Sequence, residues 1–205
     1  MQGPLAIFGF IIFILSIIVH EVAHGIAAER EGDPTARMLG RITLNPLKHL
    51  DWFGSILLPA ILYISKVGMI FGWAKPVPYN PENLKRGNKS VAIVSIAGIL
   101  TNLAIAVIFS IVIRVAVSLG VTSPAFLQIS SLIVFINVIL AFFNAIPIAP
   151  LDGFRFLGAV LPARFAKTMR TIEQYSLPLL LVFIFLGWRF VAPLAAKLAM
   201  ALIGI

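Results

Sequence analysis

The residues best equipped for chemistry are His20-Glu21-Val22-Ala23-His24. On a helix, positions four apart share one face. The two imidazoles can therefore hold one zinc ion, and Glu21 can activate a zinc-bound water. The chain has three histidines, and two of them are here. The motif lies in an apolar run that starts near Pro4. Ionisable groups at membrane depth are costly, so they point to function. The bland alternative is a polar cluster that hydrogen-bonds another helix. There is no cysteine, so a further ligand must be His, Asp or Glu. Asp152 is the best candidate. Pro147 and Pro150 force a helix break just before it. Broken backbone at membrane depth is tolerated where it lines a wet cavity, and the break can turn the Asp152 carboxylate toward the histidines. The alternative is an N-cap at Asp152; paired with the two histidines, the ligand role is favoured.

The elements that must position these groups belong to a membrane protein. Of 205 residues, 60% are hydrophobic and only 12% charged, with a mean hydropathy of +1.03. A soluble domain is about one quarter charged. The expected fold is all-α and polytopic, a single membrane-embedded domain over 1–205. Full spans are expected at about 4–28, 91–113, 125–146 and 176–203. The first apolar run lacks a basic leader, so it is expected to be retained and not cleaved as a signal peptide. The apolar run at 53–71 is just long enough to cross. A full crossing there would put His24 and Asp152 on opposite faces, so a re-entrant or hairpin segment is expected instead. Thirteen of the 16 basic residues, from Arg30 to Arg170 with Arg114 excepted, then share one face. By the positive-inside rule this face is cytoplasmic, and the N-terminus is outside. The net charge of +8 fits loops facing anionic lipid and argues against nucleic acid as a partner.

The connecting segments carry fewer signals. Residues 41–44 can form a short strand. His49 is read as an interfacial structural residue over a ligand or proton carrier, and Asp51 as the cap of the following helix. Gly25, Ala27 and Ala28 are small enough to let a second helix bring its ligand close. The stretch Gly72-Trp73-Ala74-Lys75-Pro76-Val77-Pro78-Tyr79-Asn80-Pro81 cannot be helical. It is either a strand-accepting edge for an unwound peptide or a rigid linker. Asn102 and Asn137 each bond a neighbouring helix or line the site, and spacing alone favours packing. Leu161 to Arg170 reads as a basic interfacial helix. The last run is either one kinked span or a span with an amphipathic tail, in which Arg189 snorkels or faces a groove.

Taken together, the chain resembles the site-2 protease family of intramembrane zinc metalloproteases, in its compact branch without a PDZ domain. The resemblance runs from the first span to about Arg155. It rests on His20 to His24, Gly32-Asp33-Pro34-Thr35-Ala36-Arg37, Leu44 to Asp51, Gly72 to Pro78, Ala97-Gly98 with Asn102, and Asn144 to Gly153. It implies that His20, His24 and Asp152 bind one zinc ion per chain and that Glu21 is the catalytic base. Asn144, with Asn102, would hold substrate or the oxyanion, and Trp73, Ala74, Lys75, Pro76 and Val77 would receive the substrate strand. Two positions depart from the family pattern: Ile99 stands where proline is common, and Phe154 where a small residue is. The implied activity is cleavage of transmembrane segments of membrane proteins, in the cell membrane, with the active site near the cytoplasmic face. A non-catalytic adaptor or chaperone with the same scaffold is the rival, against which Glu21 argues. A metal transporter is a weaker rival, since no internal repeat is visible.

Overall fold

The computed structural model describes residues 3–52, 75–121 and 123–204, together with 57, 61 and 64. The rest of the expected re-entrant segment at 53–71 lies outside the described residues, as do Trp73 and Ala74.

Four helices among the described residues are long and apolar enough to cross a membrane. They are α1 (Gly3–Arg30), α3 (Asn88–Ser118), α4 (Pro124–Asn144) and α7 (Ser176–Ile203). A single turn, α2 (Thr35–Met38), follows α1, and two shorter helices, α5 (Asp152–Val160) and α6 (Ala166–Gln174), join α4 to α7. Their ends follow local chemistry. Pro124 opens α4, where its missing N–H costs nothing. Gly32, with φ of +113°, turns the chain out of α1. The last apolar run is one continuous helix with a wider, π-type stretch at Phe183–Gly187 and Pro193 inside it. Arg189 is exposed, its guanidinium 4.8 Å from the Phe190 ring centroid.

The short strand expected at 41–44 is a bend. Its backbone groups are used locally. The Arg41 N–H donates to the Ala36 carbonyl, and the Thr43 carbonyl accepts from His49 Nε2. The described residues contain no strand.

Helix α3 is the centre of the bundle, packed against α1, α4 and α5, while α7 lies on α4 and the edge of α3. Small residues set the close approach. Ala106 of α3 and Ala195 and Ala199 of α7 pack with Ile113, Val134 and Val138 in one buried cluster. Outside it, large apolar side chains such as Phe10, Ile111, Leu177 and Phe190 are exposed on the helix surfaces, as lipid-facing positions require. The polar side chains Ser16, His20, His24, Asn102 and Asn137 are all buried inside the bundle.

The loops fix which ends lie together. The Lys85 N–H donates to the Glu31 carbonyl at 2.9 Å, and Arg86 pairs with the Glu31 carboxylate. The C-terminal end of α1 thus meets the start of α3. The Lys75 N–H donates to the His49 carbonyl at 2.8 Å. The chain therefore leaves for 53–71 and returns from it at the same end of the bundle.

Candidate metal centre

His20 and His24 stand one turn apart on α1 and point the same way. His20 Nε2 lies 3.1 Å from His24 Nε2, and Asp152 Oδ2 lies 3.0 Å from the first and 3.1 Å from the second. All three side chains are buried. Neighbouring ligands of a tetrahedral zinc ion with bonds of 2.0–2.1 Å lie about 3.3 Å apart, so the triangle has the size of one face of such a site. The proton inventory agrees. His24 Nδ1 lies 2.7 Å from the Val94 carbonyl. A carbonyl only accepts, so Nδ1 carries the hydrogen and Nε2 presents a lone pair. That lone pair faces a second imidazole nitrogen and a carboxylate oxygen. Converging acceptors of this kind in a buried place suit a cation.

Glycines make the convergence possible. A Cβ on Gly98 would lie 2.5 Å from His20 Nε2 and 2.6 Å from His24 Nε2. It is α3, through Gly98, that lies against the two imidazoles. The small residues after His24 meet other partners than the element that carries Asp152: Gly25 faces Val77, Ala36 of α2 and Ile42, and Ala28 packs with Leu84 and with Val94 of α3. After Asn144 the chain turns sharply and α5 begins at Asp152. A Cβ on Gly153 would collide with the Ala145 carbonyl, so glycine lets the turn fold down onto the start of α5. Leu151 holds the cap position, and no side chain caps this helix. The Asp152 carboxylate is directed at the histidines instead. Phe154, the departure next to it, is 7% exposed and lines a cavity of about 290 Å³ between α5 and α6.

Glu21 lies beside the centre, and its Oε2 accepts the Val77 N–H at 2.8 Å. The expected strand-receiving segment is thus in contact with the expected base. Arg41, buried at 8% exposure, donates to the carbonyls of Lys75 at 2.8 Å and Pro76 at 3.2 Å. His49 is 2% exposed and donates from Nε2 to the Thr43 carbonyl at 2.8 Å, a loop-bracing contact.

The two asparagines expected to face substrate sit differently. Asn144 is half-buried, and its Nδ2 returns to the Leu140 carbonyl at 2.9 Å. Asn102 is fully buried, with Oδ1 2.7 Å from His20 Nδ1 and Nδ2 donating to Asn137 Oδ1 at 3.1 Å. Both of its polar atoms are engaged, one with His20 and the other with α4. Val94, Ser16 and Arg41 were not legible as parts of the site. A backbone carbonyl has no side-chain signature. Ser16, four residues before His20, had the helical spacing that would have flagged it.

A family profile described as peptidase family M50 matches residues 8–126 and 120–187. The chain is 37% identical over 200 residues to a Bacillus subtilis protein named "Putative zinc metalloprotease YwhC", covering 94% of this chain and 85% of that protein. It is 28% identical over 204 residues to the Mycobacterium tuberculosis protein named "Putative zinc metalloprotease Rip2", covering 91% and 73%. No solved structure matches.

Proposed function

The chain belongs to peptidase family M50, the site-2 protease family, with zinc as its cofactor, and from that premise we propose that it cleaves peptide bonds within transmembrane segments of other membrane proteins. The observation that carries this reading is the convergence of His20 Nε2, His24 Nε2 and Asp152 Oδ2 next to Glu21, which adjoins His20 on the same helix and accepts the Val77 N–H. His20, His24 and Asp152 hold the metal. Bound there, zinc supplies Lewis acidity and makes water acidic near neutral pH.

The remaining steps belong to the chain. Glu21 removes a proton from the attacking water and returns it to the leaving amine. The substrate helix must unwind locally first, because its carbonyls are engaged in helical bonds. The segment Trp73 to Val77 receives the extended substrate, with Asn144 at the turn toward Asp152 as a further contact. In this structure the Val77 N–H is held by Glu21, so docking and base release are coupled. We put this end of the bundle at the cytoplasmic face, a reading that the clustering of basic residues supports.

The test is cleavage of a panel of single-span membrane proteins by detergent-purified enzyme, beside Glu21→Gln. The expected result is cleavage by the wild type, none by the variant, and equal zinc in both. A zinc-loaded wild type that leaves every substrate intact would move the assignment to a binding role.

A further inference from the structure

A chain of hydrogen bonds leads away from the metal centre through three helices. His20 Nδ1 meets Asn102 Oδ1 at 2.7 Å. Asn102 Nδ2 donates to Asn137 Oδ1 at 3.1 Å. Asn137 Nδ2 donates to the Ile133 carbonyl at 2.9 Å and to Ser16 Oγ at 3.0 Å. Ser16 stands one turn before His20 on α1, so the chain closes into a ring across α1, α3 and α4. Asn102 and Asn137 are 0% exposed and Ser16 is 6% exposed.

The ring has a direction, and its origin is the far end. The Ile133 carbonyl can only accept. Asn137 must therefore turn its NH₂ toward Ile133 and its oxygen toward Asn102. Asn102 must answer with its own NH₂, which leaves its oxygen for His20. An oxygen there requires a hydrogen on His20 Nδ1, and that leaves the Nε2 lone pair facing His24 and Asp152. Reversing any member would set two donors or two acceptors face to face in a dry interior, which is unfavourable.

We infer that Asn137 is a positioning residue for the metal centre: through Asn102 it fixes His20 in the one tautomer that can ligate. The inference rests on reading His20 as a zinc ligand. Outer partners of metal-bound histidines set tautomer and ring orientation, and losing one costs about 10–100-fold in metal affinity. Here the control reaches one residue further, to Asn137 on α4.

Zinc affinity, measured by chelator competition on purified protein, tests it. Asn137→Leu removes the oxygen that orients Asn102, and binding is expected to weaken about 10-fold or more. Ser16→Ala leaves the Ile133 carbonyl to set the direction, so it stays within about threefold of wild type. The decisive variant is Asn102→Asp/Asn137→Leu. A carboxylate at 102 offers only acceptors to His20, so the double variant recovers affinity over Asn137→Leu alone. A general packing defect would make it worse. Equal zinc affinity in the wild type and Asn137→Leu, or no recovery in the double variant, would overturn the inference. A second measurement does not depend on the variants folding. Nitrogen NMR of metal-free, histidine-labelled wild type at neutral pH should show a hydrogen on His20 Nδ1, and a neutral ring with its hydrogen on Nε2 alone would overturn the inference as well. Wild type that binds no zinc at all would instead sink the ligand assignment on which it rests.

Discussion

At Gly98 the donor atoms of both histidines come within contact distance of a helix backbone. Any side chain there would occupy the space the imidazoles need: its first carbon would lie 2.5 Å from His20 Nε2 and 2.6 Å from His24 Nε2. Gly98→Ala is therefore expected to purify with much less than one zinc per chain. Gly25→Ala meets only side-chain carbons at 3.0–3.2 Å, which can shift, and should keep its zinc. Plasma mass spectrometry of the two proteins separates them, and equal metal in both would contradict the geometry. Asp152→Ala should bind zinc more weakly than wild type, because one of three donors is lost. At this scale the sequence was informative where spacing alone fixes geometry. Two histidines four apart must share a helix face. It was silent on which backbone comes close, so Gly98 could be read only as a small residue. Asn102 and Asn137 bond neighbouring helices as expected, but spacing could not name the partners, which lie 82 and 121 residues away.

The loops between α1 and α3 act as a clamp on the end of the motif helix. Asp33 takes part with both oxygens, accepting from Asn83 Nδ2 at 2.9 Å, the Asn80 N–H at 2.6 Å, and both the hydroxyl and the N–H of Thr35. Burial works against its ionisation, but these bonds outweigh it and hold the carboxyl below its ordinary value. Arg86 and Ser90 lower Glu31 in the same way. For a depressed carboxylate, the contribution to stability is complete above the ordinary value of about 3.9 and is lost as pH falls through the lower native value. Limited proteolysis in detergent should thus find the 75–87 loop protected at neutral pH and down to about pH 4, and cut below that. Asp33→Asn should be cut at every pH. Arg41→Ala removes the guanidinium that donates to the Lys75 and Pro76 carbonyls. It should loosen the same loop without removing zinc, and an unchanged proteolysis pattern would show that Arg41 does not anchor it. Prolines ruled out a helix in this stretch, but hydrogen-bond demand decided its shape. The strand expected at 41–44 failed because the nearest acceptors and donors were local ones.

Across the whole molecule, composition set the class and the run lengths located the four spans within a few residues of where they lie. What the runs could not say is how the spans are ordered around the site, since apolar helices of similar length look alike. The ends of the helices supply that. Glu31 meets Lys85, Arg86 and Ser90 at the end that holds the metal centre. At the opposite end, Arg114 of α3 donates to the last carbonyls of α7, Leu202 at 2.9 Å and Ala201 at 2.8 Å, as a cation at a helix C-terminus should. So α3 and α7 run in one direction, with α1 and α4 opposed. The contact between His49 and Lys75 brings both flanks of 53–71 to the metal-centre end. If that end is cytoplasmic, as the positive-inside rule leads one to expect, a label that cannot cross membranes must distinguish the two ends. The chain has no cysteine, so single cysteines report without background. Glu82→Cys, exposed in the clamp loop, should react only after the cells are opened. Val121→Cys, exposed in the turn between α3 and α4, should react in intact cells. The reverse pattern would keep the fold and invert its orientation, placing the catalytic end outside. Reaction of both in intact cells would contradict α3 (Asn88–Ser118) as a span, since residues 82 and 121 lie beyond its two ends.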